Sequence, residues 1–224
     1  MYTRWSSNNR EPNQRVQTVS SESRPAKPIR LPRDERRRQL LQAAHEVFVA
    51  NGYHGAAMDE IAVAARVSKP VLYQHFPGKR DLYLALLDHH LQSLTAMLSD
   101  ALKSTTDNKA RVHATIGAYY RFIAEESQAH RIVFESDLAN DPEVSARLEG
   151  FNTRLAGSIA EVLAEETNLS TAEATLLGRA LAGMAQVSAR YWVQSGGGGL
   201  DRDAACELIY RLAWRGISRF PKEP

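Results

Sequence analysis

Apolar residues recur every three or four positions along most of the chain, which is the spacing of amphipathic α-helices. The first such segment has its apolar positions at Leu40, Ala44, Val47 and Phe48 and ends at Asn51-Gly52. Cap and turn residues predict that further helices begin after Gly78, Asp107, Asp141, Ser170 and Asp201. The glycine-rich stretch after Ser195 interrupts the pattern, and no β alternation or internal repeat occurs. The pattern predicts an all-α fold.

Two short predicted helices lie close together between Met58 and Lys79. Ile61 and Ala62 place one branched and one small apolar group on the inner face of the first, so a second helix can cross close to it. The second predicted helix turns Leu72 and Phe76 inward, four residues apart, and Val67 fills the turn between the two. This arrangement predicts a helix-turn-helix.

The second of these helices has a well-marked start and a polar outer surface. Ser68 suits the N-cap position, and Pro70 falls in the first turn, where a missing N–H costs nothing. Hydrogen-bond donors, a methyl-bearing side chain and an aromatic hydroxyl remain outside, at Lys69, Val71, Tyr73, Gln74 and His75. Such groups suit base edges and phosphates in a major groove. The alternative is an ordinary helix pair in an all-α domain, and the cap, the proline and the polar surface together argue against it.

Charge is distributed unevenly along the chain of 224 residues, whose net charge is only +2. Residues 1–80 carry 14 Lys and Arg against 7 Asp and Glu, whereas residues 81–224 carry 14 against 19. A basic first part that also holds the helix-turn-helix suits a protein that lays one end on DNA. A solvated charge run without a partner is the alternative.

Three segments are predicted from composition. Residues 1–32 are rich in Ser, Asn, Arg and Pro and are expected to be disordered, either as a basic arm that follows phosphates or as a solubilising tail. The first predicted helix and the helix-turn-helix lie within residues 33–79, and the remaining predicted helices lie within residues 80–224. No apolar run of about 20 residues and no signal peptide is evident, which predicts a soluble cytoplasmic protein without membrane contact. The lone Cys206 is expected to be a buried thiol.

The motifs Gly52-Tyr53, Ile61-Ala62, Val67-Ser68 and Leu72-Tyr73, with Phe76 and Lys79, resemble the N-terminal signature of TetR-family transcriptional regulators. The resemblance implies a three-helix DNA-binding domain at 33–79 that reads an operator half-site, and a larger helical domain at 80–224 that dimerises and binds an effector. It implies that Lys69, Pro70 and Val71 face base edges and that Tyr73, His75 and Lys79 contact phosphates or bases. The full predicted DNA-binding set is Arg66, Ser68, Lys69, Pro70, Val71, Tyr73, Gln74, His75 and Lys79.

The chain departs from this signature at three places. Ala56 and Ala57 stand where the family often has a hydroxyl residue that caps the helix and touches phosphate, so that contact is in doubt. Arg66 replaces the usual turn glycine, and a left-handed backbone there would strain it by about 1 kcal/mol. Pro70 replaces a common glycine and indicates a particular subgroup.

A longer stretch, from Leu31 to about Asp141, is similar to the actinobacterial regulators of fatty acid synthesis. This narrower resemblance implies a homodimer that senses long-chain fatty acyl-CoA and activates or represses its targets. We expect repression, with ligand causing release from DNA. The predicted ligand-binding set is Leu94, Leu98, Ile116, Tyr119, Tyr120, Ile123, Phe134, Phe151, Leu155, Met184 and Tyr191. Ordinary core packing is the alternative for each of these residues.

The last two long helices carry apolar residues on more than one face, among them Leu176, Val187, Tyr191 and Leu212. The TetR resemblance implies that these helices pair with their symmetry mates as the dimer interface, and a two-fold DNA site needs a two-fold protein. Enzyme signatures are absent, and we expect no catalysis, metal or cofactor; His89, His90 and His130 are expected to be exposed. Two alternatives stay open: a TetR-type repressor of an efflux or catabolic operon that responds to another hydrophobic molecule, and a helical lipid-binding module.

Overall fold

Eight of the nine helices in the described residues form where the caps and the apolar periodicity predict them. The computed structural model describes residues 31–125, 129–134, 138 and 140–217. Within those ranges the chain has no strand and nine helices: α1 (Arg33–Gly55), α2 (Met58–Ala64), α3 (Lys69–His75), α4 (Lys79–Lys103), α5 (Asn108–Glu125), α6 (Ala129–Phe134), α7 (Pro142–Glu166), α8 (Thr171–Gln194) and α9 (Arg202–Ile217). The tail predicted to be disordered lies outside the described residues, apart from Leu31 and Pro32.

The predicted caps make the expected hydrogen bonds. The Asp141 carboxylate accepts from the backbone N–H groups of Glu143 and Val144 at the start of α7. Asp107 and Asp201 accept in the same way at α5 and α9. At α8, Ser170 and Glu173 bond reciprocally, with 2.8 Å from the Ser170 nitrogen to the Glu173 carboxylate. These local signals therefore fix where the long helices begin.

Two short helical pieces were not predicted. The first helix breaks at Asn51-Gly52 as predicted, because Gly52 has a non-helical backbone with φ of 68° and ψ of 173°, but a short further helical piece, which was not predicted, ends at Gly55. The short helix α6 was not predicted. It is held between α1 and α4, because Arg131 donates to the Val49 carbonyl at 2.9 Å and the buried Tyr83 hydroxyl donates to the Ile132 carbonyl at 3.0 Å.

Helices α1 to α3 pack around Leu40, Ala44, Phe48, Ile61 and Leu72, all of them buried. Helix α4 follows α3 after the Pro77-Gly78 turn and contacts α1, α5, α6 and α7. It therefore belongs both to the core beneath the helix-turn-helix and to the core of the remaining helices. The division of the chain at residue 79 stays a prediction, since residues 33 onward form one compact unit.

The contact between α1 and α4 includes a histidine pair. Nδ1 of His45 lies 3.1 Å from Nε2 of His90, and both rings are buried. Burial, the His45 ring and the His89 ring lower the pKa of His90 to about 3. The prediction that His90 is exposed is therefore wrong, because the helix turns this position toward α1. His89, the next residue, is exposed as predicted.

Helices α7 and α8 approach each other closely. A Cβ on the buried Gly178 would lie 2.4 Å from the Ala156 carbonyl oxygen of α7, so only glycine fits there. The other small residues on this side of α8, Ala174, Ala182, Ala185 and Ala189, are also buried. The small residues of α8 thus serve packing within the chain. No helix of the described ranges is long and apolar enough to cross a membrane.

Candidate functional site

The turn between α2 and α3 brings the predicted recognition helix across α2. The Val67 nitrogen donates to the Ala62 carbonyl at 3.0 Å, and Arg66 has a left-handed backbone with φ of 53°. The left-handed conformation considered for Arg66 is thus confirmed. Leu72 and Phe76 are buried against the first two helices, as their spacing predicts. Ser68 is the N-cap of α3, although its side chain makes no capping hydrogen bond.

Most of the predicted DNA-binding residues lie on the outside of this turn and helix. Six are exposed, namely Arg66, Ser68, Lys69, Pro70, Tyr73 and Gln74, and Val71 and His75 are half-buried. Tyr73 exposes 46% of its surface, which is unusual for an aromatic residue and leaves its hydroxyl available to a partner. Ala57 is the N-cap of α2 and offers no side-chain acceptor, so the missing hydroxyl is not replaced.

Lys69 forms an ion pair with Asp59 of α2, and both side chains are about 60% exposed. An exposed pair of this kind contributes about 1 kcal/mol or less, because water and salt screen it. A phosphate or a guanine edge can therefore displace Asp59 from the Lys69 ammonium at little cost.

Lys79 makes its contacts within the chain. Its ammonium donates to three backbone carbonyls, those of Tyr53, Ala56 and His54, at 2.8, 2.9 and 3.3 Å. It also lies 4.7 Å from the centre of the Tyr53 ring. The donors of Lys79 are used within the chain, where they join the first residue of α4 to the end of α1. In the chain alone Lys79 thus has a structural role, and its contact with phosphate or bases stays a prediction.

Arginines of α1 lie next to the recognition helix. Partial burial and the nearby guanidinium groups of Arg33, Arg37 and Arg36 lower the pKa of His75. The Arg37 guanidinium also lies 4.6 Å from the centre of the Phe76 ring. This environment disfavours the charged form of the His75 ring and places cationic side chains of α1 beside the recognition helix.

An apolar cavity of about 330 Å³ lies among α4, α5, α7 and α8, with α9 at one side. Its wall is mostly aliphatic, and its polar side chains cluster where α5 begins and α7 ends. The lining residues of the predicted ligand set are Leu98, Ile116, Tyr119, Leu155 and Met184. Burial raises the pKa of the Tyr119 phenol, which stays un-ionised. We refer to this space as the α4–α8 cavity.

Other members of the predicted ligand set lie elsewhere. Leu94, Tyr120 and Ile123 are buried outside the cavity wall, with the Tyr120 hydroxyl 3.0 Å from the Ser188 hydroxyl. Phe151 lines a neighbouring recess. Tyr191 does not line this cavity: it is 73% exposed, because its helix turns it away from the core. Phe134 lies in α6, but its side chain is outside the part of the chain that the structure describes.

The sequence analysis missed several lining residues. The unpredicted positions are Leu102, Asn108, Arg111, Val112, Thr115, Ile159, Val162, Leu163, Glu166, Thr167, Leu181, Ala182, Ala185, Ala213 and Trp214. The spacing of Ile116 and Tyr119 continues backward to Val112 and Thr115, and this signal was present in the sequence. The polar residues carried no such signal.

Apolar side chains are exposed on the outer faces of α8 and α9. Leu176, Val187 and Tyr191 of α8 expose 70%, 57% and 73% of their surface, and Leu208 and Leu212 of α9 expose 59% and 61%. On α8, Ala180 and Gly183 continue this row at helical spacing. We call these residues the α8/α9 stripe. A continuous apolar stripe at this level of exposure marks an interaction surface.

Comparisons with known proteins agree on a family. Residues 40–86 match the model of bacterial regulatory proteins of the tetR family. The chain is 43% identical over 192 residues to the HTH-type transcriptional activator FasR of Mycolicibacterium smegmatis, covering 86% of this chain and 87% of that protein.

Solved structures agree with this comparison. A TetR-like transcriptional regulator from Rhodococcus sp. RHA1 is 26% identical, with a TM-score of 0.67, and the match covers 84% of this chain and 99% of that one. The transcriptional regulator FadR from Bacillus subtilis, solved in complex with stearoyl-CoA, is 21% identical, with a TM-score of 0.64, and the match covers 79% and 96%. The second likeness bears on the fold alone.

Proposed function

This chain belongs to the TetR family of bacterial regulatory proteins, and on that premise we propose that it binds a palindromic operator as a homodimer and controls fatty acid metabolism in response to a long-chain fatty acyl-CoA. It is a DNA-binding transcriptional regulator and not an enzyme. The operator, the dimer and the effector are the proposed parts.

The α4–α8 cavity carries the proposal for the effector. Its walls are aliphatic and aromatic, with few polar groups, so it suits a saturated chain better than a charged metabolite. Each methylene moved from water into such a space contributes about 0.8 kcal/mol, which favours long chains over short ones. The 43% identity to FasR and the stearoyl-CoA bound in FadR are consistent with an acyl-CoA effector.

Helix α4 supports coupling between effector and operator. It begins at Lys79, directly after the recognition helix and its turn, and Leu98 in its second half lines the cavity. A ligand that tilts α4 would change the spacing between the two recognition helices of a dimer. Linkage then requires operator DNA to change ligand affinity by the same factor.

The α8/α9 stripe supports the homodimer. Five large apolar side chains of α8 and α9 are more than half exposed. Contact of apolar side chains with water is unfavourable, and packing against a second copy of the same surface removes that contact. A two-fold dimer presents two copies of α3, as a palindromic site requires.

Isothermal calorimetry with acyl-CoAs from C8 to C20 tests the effector. We expect affinity to rise with chain length and the ligand to shift operator binding in a gel-shift assay. Affinity that does not change with chain length would overturn the acyl-chain proposal and leave a regulator of an efflux or catabolic operon that responds to another hydrophobic molecule. Binding of acyl-CoA without any change in operator affinity would overturn the regulatory link.

A further inference from the structure

A groove on the surface between α4 and α7 adjoins the α4–α8 cavity. Its first part, of about 780 Å³, is lined by residues from Asp88 to Ser99 of α4 and from Ala146 to Arg154 of α7. Its second part, of about 400 Å³, shares Thr95, Ser99 and Arg154 with the first. The second part also shares three residues with the cavity, namely Leu98, Leu102 and Leu155. Groove and cavity are therefore neighbours with these three leucine side chains as a common wall.

Arg154 is the cation shared by both parts of the groove. It is exposed, and within the described part of the chain it makes no hydrogen bond or ion pair. A Cβ at Gly150 would lie 3.3 Å from its Nη1, so the guanidinium lies over a position where the chain has no side chain. The other arginine of the groove, Arg147, is paired with Asp88 at 3.0 Å.

Polar groups of the right kind surround Arg154. Ser99 and Ser158 bring hydroxyl groups to the groove, whereas the Thr95 hydroxyl donates to the Leu91 carbonyl at 2.6 Å. Small residues at Ala96, Ala146 and Gly157 leave the groove open. Two carboxylates also line it. Arg147 offsets the charge of Asp88, and Glu161 belongs only to the second part. Hydroxyl donors beside an unpaired guanidinium, whose fork matches phosphate oxygens, form a site for a phosphate group.

We propose that the α4–α7 groove binds the phosphate-bearing head group of the effector while its acyl chain occupies the cavity, with Arg154 as the main phosphate contact. Leu98, Leu102 and Leu155, which border both spaces, would have to move apart for the acyl chain to pass between them. This inference rests on the proposed function. It assigns a binding site to the phosphate-bearing head group, for which the mostly aliphatic cavity is unsuited. The shared chemistry is a phosphate joined to an acyl chain, whether from acyl-CoA or from a phospholipid.

Calorimetry with three palmitoyl ligands tests the groove: palmitoyl-CoA, palmitoyl-pantetheine, which lacks phosphate, and palmitoyl lysophosphatidate. We expect R154Q to weaken palmitoyl-CoA binding by about 10- to 100-fold, as for loss of a charge-assisted hydrogen bond, and to leave palmitoyl-pantetheine unchanged. R154K, which keeps the charge, should recover part of the affinity. If lysophosphatidate shows the Arg154 dependence and palmitoyl-CoA does not bind, the groove serves a phospholipid phosphate and the site stands.

Arg111 provides the matched control, because it lines the polar end of the cavity where α5 begins. R111Q should weaken all palmitoyl ligands alike or not at all. The inference is overturned if R111Q selectively weakens palmitoyl-CoA while R154Q does not, or if R154Q weakens palmitoyl-pantetheine equally. If none of the three ligands binds the wild-type protein, the proposed function itself fails. That result differs from one in which the ligands bind and the R154Q substitution leaves their affinity unchanged.

Discussion

The outer surface of α3 and the outer surface of α8 are opposites. On α3, the exposed side chains include Lys69, Tyr73 and Gln74, and Leu72 is fully buried. On α8, the exposed side chains include Leu176, Val187 and Tyr191, while its buried residues are glycine and alanine. The polar surface of α3 suits binding to the hydrated, negatively charged backbone of DNA. The apolar surface of α8 suits packing against another apolar surface. The periodicity alone locates both faces, but only the structure shows which one remains uncovered.

A charge on the α8/α9 stripe should have the largest effect. Val187→Glu would bury an unpaired carboxylate twice in the proposed dimer, at a cost of roughly 3 to 5 kcal/mol for each uncompensated charge. We expect the dimer dissociation constant to rise at least about 100-fold, as measured by sedimentation velocity. Val63→Glu is the control, because Val63 is 77% exposed on α2, outside the stripe. A Val187→Glu protein that stays dimeric would remove this surface from the interface.

The inner side of α8 offers the second test. Gly178→Ala places a methyl group 2.4 Å from the Ala156 carbonyl oxygen, so α7 and α8 must separate. Overpacking of this kind lowers the free energy of unfolding by roughly 1 to 3 kcal/mol or more. Gly157→Ala, where nothing lies within 4 Å, should raise it by up to about 1 kcal/mol through helix propensity. Urea unfolding measures both, and equal effects would contradict the close α7–α8 contact.

Substitutions of Lys69 and Lys79 should have different effects: the first on operator binding and the second on the free energy of unfolding. Lys69→Met should weaken operator binding by roughly 1 to 3 kcal/mol, with little change on random DNA and none in urea unfolding. Lys79→Met should lower the free energy of unfolding by roughly 1.5 to 3 kcal/mol, because its charged hydrogen bonds to three carbonyls are lost. The reverse pattern in gel shifts and urea titrations would make Lys79 the phosphate contact.

The buried histidine pair between α1 and α4 predicts a loss of stability in acid. His90 has a pKa of about 3 in the folded chain. In the unfolded chain its value is about 6.5, so between these values the unfolded state binds more protons. The free energy of unfolding should therefore fall as pH drops below about 6.5, by at most about 1.4 kcal/mol per pH unit from this group. Urea titrations of His90→Gln should show a shallower slope, and an unchanged slope would assign the acid sensitivity to other groups.

The smallest expected effect lies at the turn before α3. Arg66→Gly should be more stable than Arg66→Ala by about 1 to 2 kcal/mol, because only glycine adopts the left-handed φ of 53° without strain. Both variants lose the same cation, so equal losses in DNA affinity would assign a phosphate contact to Arg66. Equal thermal stability of the two variants would show that the turn relaxes.

Local signals predicted the local features well. The caps Asp107, Asp141, Ser170 and Asp201 fixed the helix starts, and the inward pair Leu72 and Phe76 located α3. Each of these depends on residues within about one helical turn, which the sequence contains in full.

Features that depend on distant parts of the chain were not predictable in this way. Leu94 and Leu98 are one turn apart on the same side of α4, yet only Leu98 lines the cavity, since the position of α7 and α8 decides which core residue borders a void. Lys79 reaches carbonyls 23 to 26 residues earlier, and His90 meets a ring 45 residues earlier. No pattern along one helix contains such partners.

The connection between α8 and α9 contains four consecutive left-handed glycines, Gly196 to Gly199, with φ between 56° and 86°. The indole of Trp192 donates to the Leu200 carbonyl across this turn at 2.9 Å. Because a side chain strains this backbone at every one of the four positions, nearly any missense change here is unfavourable, even though the loop contacts neither cavity nor groove. Among relatives that share the turn, invariant glycines would thus reflect the left-handed backbone conformation of these four positions and would not be evidence of a binding site.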